Sequence, residues 1–220
     1  METAKCLCLR ASGEGPAHPR QRISRRLQTG LFLATKNAED RTMNAPELIA
    51  PELALLEPLD ALDLLVIRCG LAESQRIGAQ PLIRGLGPTS FEGLRALCAP
   101  EQDLENGAAA DCFDEFEELF ELLLDHAAPL DQMGIWLAAS IATAAQRDNH
   151  LWQDMGLPSR RELSAVLRQR FPTLATLNVG DMKWKKFFYR QLCGRAGVPI
   201  CKSPNCADCI DHAICFGPEE

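Results

Sequence analysis

An all-α fold is what this sequence predicts: a compact helical domain ending in an irregular C-terminal cysteine loop that binds a metal cluster. Three observations predict it. Leu and Ala are abundant while aromatic residues make up only 6% of the chain, a balance that favours helices. Several stretches space their apolar residues by three and four, the helical period. No stretch alternates apolar and polar residues long enough to argue a strand, and no internal repeat is present. At 220 residues and 24.2 kDa the chain suits one domain with tails and is long enough to bury a sizeable core.

Residues 1–45 are rich in Gly, Pro, Ser and Arg and lack sustained periodicity, which predicts a low-order tail. Cys6 and Cys8 lie in it and read as incidental rather than as ligands. The helical domain is expected over 46–200. Its first segment, PELIAPELALLEPLDALDLLVIRCG, reads as short helices interrupted at Pro51 and Pro58. FEGLRALCA follows as a brief helix. DCFDEFEELFELLLDHA places Phe113, Phe116, Phe120, Leu123 and Ala127 on one helical face and its acidic residues on the other. GIWLAASIATAAQRD has Ile135, Ala138, Ile141, Ala142 and Ala145 on one side, where small residues allow close packing. In LPSRRELSAVLRQRFP, Ser159 as N-cap and Glu162 three residues on make a capping box, and the helix stops before Pro172. GDMKWKKFFYRQLCGRAG predicts a helix capped by Asp181 and ended by Gly194.

The net charge is −7 and the pI near 5.2, which argues against nucleic acid as a partner. Charge is unevenly spread. Residues 101–125 hold ten Asp and Glu and no Lys or Arg, whereas 158–202 hold ten Lys and Arg against Glu162 and Asp181. This describes either two solvated faces or a basic segment that offsets something anionic beside it. No apolar run approaches the roughly 18 residues of a membrane span, and the start METAKCLCLRASGEG lacks the apolar region of a secretory signal. A cytoplasmic chain is expected, where thiols stay reduced.

Among the ten cysteines, a tight cluster is therefore read as metal-binding or catalytic before disulfides. Four of them, Cys201, Cys206, Cys209 and Cys215, form C-x4-C-x2-C-x5-C in residues 201–220. Thiolates are soft ligands suited to iron–sulfur clusters, zinc or copper(I). Structural zinc more often uses two separated C-x2-C knuckles, and only Cys206 and Cys209 make such a pair, so the spacing favours an iron–sulfur-type cluster over zinc. Pro199, Pro204 and Gly217 punctuate the loop, and Ala207 and Ala213 leave room for backbone N–H groups near sulfide.

The words HLWQDMGLPSRRELSAVL, FPTLATLN and DMKWKKFFYRQLCG, followed by this motif closing in CFGPE, resemble the NifQ family over roughly residues 110–219. The resemblance implies a non-enzymatic carrier holding a molybdenum–iron–sulfur cluster on Cys201, Cys206, Cys209 and Cys215. It implies molybdenum delivery, from molybdate, to the scaffold and the nitrogenase reductase that complete the iron–molybdenum cofactor of nitrogen fixation. No departure occurs inside the cysteine motif, and nothing is carried over to residues 1–45.

Lys183, Lys185, Lys186, Arg190, Arg195 and Lys202 supply positive charge near the motif. The MKWKK helix either guides molybdate or docks the acceptor, or it is a solvated basic face with Trp184 and Phe188 in the core. His150, in RDNHLWQD, is a tentative additional metal ligand, since imidazole suits such a metal, although a histidine at a helix end is more often a cap or a surface residue. His212 is a hydrogen-bonding candidate inside the loop, and Cys193, Cys69, Cys98 and Cys112 read as buried small hydrophobes. The alternatives are a zinc-stabilised helical interaction domain and a DNA-repair glycosylase with a C-terminal iron–sulfur loop. A Gly-rich helix-hairpin-helix is missing and the charge opposes DNA. No nucleophile elbow, P-loop, HExxH or dinucleotide fingerprint argues an enzyme.

Overall fold

The computed structural model describes residues 60–108, 114–197, 206 and 209–219. The tail over 1–45, the interruptions at Pro51 and Pro58, Phe113, Cys112, Cys201 and Lys202 lie outside them. Every regular element among the described residues is a helix, so the all-α expectation holds. None of these helices is long and apolar enough to cross a membrane.

The first helix, α1 (Ala61–Arg76), begins where Asp60 takes an extended backbone and accepts the Leu62 N–H at 2.8 Å. Asp63 on this helix is fully buried and pairs with Arg170, whose guanidinium also reaches Asp131 at 3.1 Å. Next come α2 (Pro88–Cys98) and α3 (Phe116–His126). The helix α2 starts three residues before FEGLRALCA because Pro88 occupies its first turn, where a missing N–H costs nothing.

The buried stripe of α3 is Phe116, Leu119, Leu122 and Leu123, with Phe120 half-buried and stacked on Phe116 at 5.7 Å. The predicted face holds for Phe116 and Leu123, which are buried, and the buried stripe also takes in Leu119 and Leu122, while the helix packs against α4 (Gln132–Ala145). That fourth helix was expected to bury one side, but residues 136–145 are buried all round. It lies against both α1 and α3, and its many alanines let neighbours approach on every side.

A short α5 (Leu151–Asp154) leads to α6 (Arg160–Arg170) and α7 (Pro172–Thr176). Ser159 does cap α6, accepting the Arg161 N–H at 3.1 Å while donating its hydroxyl to Glu162 at 2.7 Å. The basic helix is α8 (Trp184–Ala196), with Trp184, Phe187 and Phe188 in the core and the Trp184 indole N–H donating to Ser164 at 2.9 Å.

Both predicted ends of α8 are corrected. Asp181 does not cap it: the residue sits at φ 53, and Arg160 takes its carboxylate at 3.1 Å and its carbonyl at 3.0 Å. Gly194 does not end it either. The helix continues until Gly197 adopts a left-handed cap at φ 68, and Arg195 in the added turn reaches Asp125 of α3 at 3.1 Å.

Candidate metal centre

The last element, α9 (His212–Phe216), is one turn carrying Cys215. It is reached through a run of turns. The Cys209 N–H donates to the Cys206 carbonyl at 3.2 Å, and the His212 N–H to the Cys209 carbonyl at 3.0 Å. Such turns keep Cys206, Cys209 and His212 close along the chain without the side-chain rigidity of a long helix.

Three contacts fasten this segment to the helical domain. The Lys183 N–H, at the start of α8, donates to the Cys215 carbonyl at 2.8 Å. The Phe216 ring lies against Gly180, where an added Cβ would come within 3.0 Å of it, so a side chain there would push the segment away. Glu219 is buried, with its side chain only 7% exposed. Its carboxylate lies 3.7 Å from Arg160 Nε, a buried atom with no hydrogen bond, so Glu219 adds a second carboxylate to the guanidinium that Asp181 already pairs.

Cys206, Cys209 and Cys215 are half-buried and in no disulfide, with Cys206 and Cys215 touching the core. Arg190 Nη1 donates to Cys206 Sγ at 3.0 Å. Among the described residues, no three His, Cys, Asp or Glu side chains converge into a group that could hold a metal ion. The donor chemistry nevertheless fits a soft metal or a sulfide cluster: three cysteine sulfurs in one short segment and a guanidinium beside one of them. Exposed apolar side chains accompany this segment. Ile210 is 93% exposed, Val179, next to Gly180, is 91% exposed, and Ile214 is 55% exposed.

The other candidates fall into place around it. His150 stands at the start of α5, its N–H donating to the Gln153 side chain at 3.2 Å. Its Nδ1 lies 4.0 Å from Glu219, so the fold brings it beside the C-terminal segment, against that carboxylate. His212 is exposed and stacks on Phe216 at 4.5 Å. Cys193 and Cys98 are buried in the core and Cys69 is half-buried. Burial pushes the Cys69 and Cys98 thiols up from their ordinary value, as suits packing groups rather than nucleophiles.

Of the six cations, Lys185 is a correction. Its ammonium turns inward, donating to Asp154 at 2.5 Å and to the Arg147 carbonyl at 2.6 Å, and burial lowers its pKa. It holds the α4–α5 connection and does not meet an external anion. Arg195 is spent on Asp125. Lys186 and Arg190 remain exposed and Lys183 half-exposed on the same helix. Sequence reasoning missed Arg160 and Glu219, and weighed Asp154 only as a weak acid–base signal beside His150. The charges of Arg160 and Glu219 are unremarkable in the sequence, and only the contact between them marks them.

The NifQ family model matches residues 66–217. Similar curated relatives are Protein NifQ of Azotobacter vinelandii, 48% identical over 106 residues, and Protein NifQ of Rhodobacter capsulatus, 49% identical over 84. The first alignment covers 48% of this chain and 54% of that protein; the second covers 38% and 47%. The chain thus spans about half the length of these two relatives. Protein NifQ of Klebsiella pneumoniae is 35% identical over 151 residues, which is 63% of this chain and 89% of that protein. No solved structure matches. The matched span runs from α1 through the three described cysteines to Gly217, and the chain belongs to the NifQ family.

Proposed function

We propose that this chain is a carrier and donor of molybdenum for nitrogenase iron–molybdenum cofactor biosynthesis, rather than an enzyme. In this reading Cys201, Cys206, Cys209 and Cys215 hold a molybdenum–iron–sulfur cluster as cargo. The acceptors are the cofactor-assembly scaffold and the nitrogenase reductase. The single observation that carries it is the placement of Cys206, Cys209 and Cys215 at the edge of a NifQ-family domain. They are fastened to the domain at Cys215, Phe216 and Glu219, yet only half-buried.

A carrier must hold its metal and also hand it over. Thiolates grip a soft metal, and a surface segment can be presented to a second protein. The exposed Ile210, Ile214 and Val179 support such presentation, since apolar side chains of this size left in water are candidate contacts for an acceptor. Lys183, Lys186 and Arg190 are the described cations that would attract molybdate or an anionic cargo; Lys185 is withdrawn from that role.

The test is genetic. Cells lacking this polypeptide, grown with scarce molybdate, should show low nitrogenase activity that excess molybdate restores. Equal activity with and without the chain at scarce molybdate would contradict the proposal. A zinc-stabilised domain is distinguished by colour: protein prepared without oxygen is brown if it holds iron and sulfide, and colourless if it holds zinc.

A further inference from the structure

Helix α8 meets the cysteine segment at two points. The Lys183 N–H holds the Cys215 carbonyl at 2.8 Å. Arg190 Nη1 holds Cys206 Sγ at 3.0 Å, across sixteen residues of chain. Lys183 immediately precedes α8 and Arg190 lies two turns along it, about 10 Å further on, on the face that meets Cys206. Lys186, exposed, falls between them on that face.

Arg190 is the unusual member. It is exposed, and its described polar partner is a sulfur rather than a carboxylate. A neutral thiol accepts hydrogen bonds weakly, whereas a metal-bound cysteine is a thiolate and makes the stronger, charge-assisted kind. A guanidinium kept on Cys206 is therefore of most use when that sulfur is a ligand. Hydrogen bonds from outside the ligand shell orient ligands and tune the metal they bind.

Building on the reading of this segment as a metal centre, we infer that α8 is the template that positions Cys206 and Cys215. In that arrangement Arg190 is the positioning residue that fixes Cys206 Sγ as a ligand and offsets the negative charge of the bound thiolate. Lys183 contributes through its backbone, so substitution at 183 spares its hydrogen bond. Arg190 contributes through its side chain and can be removed.

The experiment compares the full-length wild-type chain with Arg190→Gln, Arg190→Lys and Arg168→Gln, all prepared without oxygen. Arg168 is exposed on α6 and serves as the equal charge loss elsewhere. The readout is the rate at which bound metal passes to a chelator. For iron-bearing protein the midpoint of reduction is measured as well. R190Q should release metal about tenfold faster, R190K should fall between it and wild type, and R168Q should match wild type. With iron bound, R190Q should shift the midpoint negative, a tenfold change in the one-electron equilibrium being about 59 mV.

Release from R190Q at the wild-type rate, or an equal acceleration in R168Q, overturns the inference. Because Arg190 is exposed, R190Q is expected to fold, and R190K decides the matter alone if it does not. The two readings separate cleanly. Zinc in place of iron in the wild-type chain removes the cluster reading while the release ratio still judges Arg190. A wild-type chain without any metal removes both.

Discussion

Between Lys185 and its neighbour Lys186, the chain turns one cation inward and leaves the other in water. Lys185 shares the buried Asp154 carboxylate with Asn149, whose amide donates at 3.0 Å, and Arg147 ties the same corner together by donating to the Asp154 carbonyl and the Ser74 hydroxyl. Removing one partner of such a pair strands the other charge away from water. Lys185→Met is therefore predicted to destabilise the fold by about 3 kcal/mol, read by denaturant unfolding. Lys186→Met, by contrast, should stay within about 0.5 kcal/mol of wild type. Equal effects from the two would contradict the inward placement. A run of three lysines within four residues cannot disclose this difference by itself. What separates them is their position on α8 and the acid that happens to face one of them.

Helix ends were legible in the sequence where a side chain acts locally, and illegible where a distant one intervenes. Ser159 caps α6 as its sequence position predicts, because its hydroxyl and Glu162 need only each other. Asp181 looks equally suited to cap α8 and fails, because Arg160, twenty-one residues away, claims it. The predicted single face of α4 failed for a related reason: a helix flanked by several others is buried all round, and its own periodicity does not count its neighbours. Asp60 gives a test at this scale. It caps α1 and also accepts from the Gln169 amide at 2.6 Å, and the backbone N–H of Leu62 is the first cause holding its carboxyl below the ordinary 3.8. A carboxyl held low in the folded state adds stability above its unfolded value and loses it as pH falls through the folded one. Asp60→Ala should cost about 1 kcal/mol near neutral pH, and the melting curves of variant and wild type should converge below pH 3.8. A gap that persists undiminished in acid would mean that the cap charge is not what stabilises α1.

For the whole molecule, the motif C-x4-C-x2-C-x5-C was legible as a motif, but its support was not. The half-buried thiols are backed by Gly180, Arg160, Lys183 and Glu219, residues drawn from loops and helix starts that the sequence does not link. The apolar side chains accompanying the thiols belong to the proposed hand-over of cargo. Val179→Asp with Ile210→Asp should leave both unfolding stability and metal content as in wild type, because both side chains are already in water. Molybdenum transfer to the assembly scaffold should fall several-fold. Unimpaired transfer would move the docking surface elsewhere. The proposed cargo of the four cysteines is a molybdenum-bearing iron–sulfur cluster. The measurement that addresses it is the count of iron, molybdenum and acid-labile sulfide per chain, in protein purified without oxygen from molybdate-fed cells. Wild type should carry all three, and Ser replacement of Cys206, Cys209 or Cys215 should reduce the iron sharply. A wild-type chain devoid of iron, or a Ser variant with its iron intact, contradicts the account.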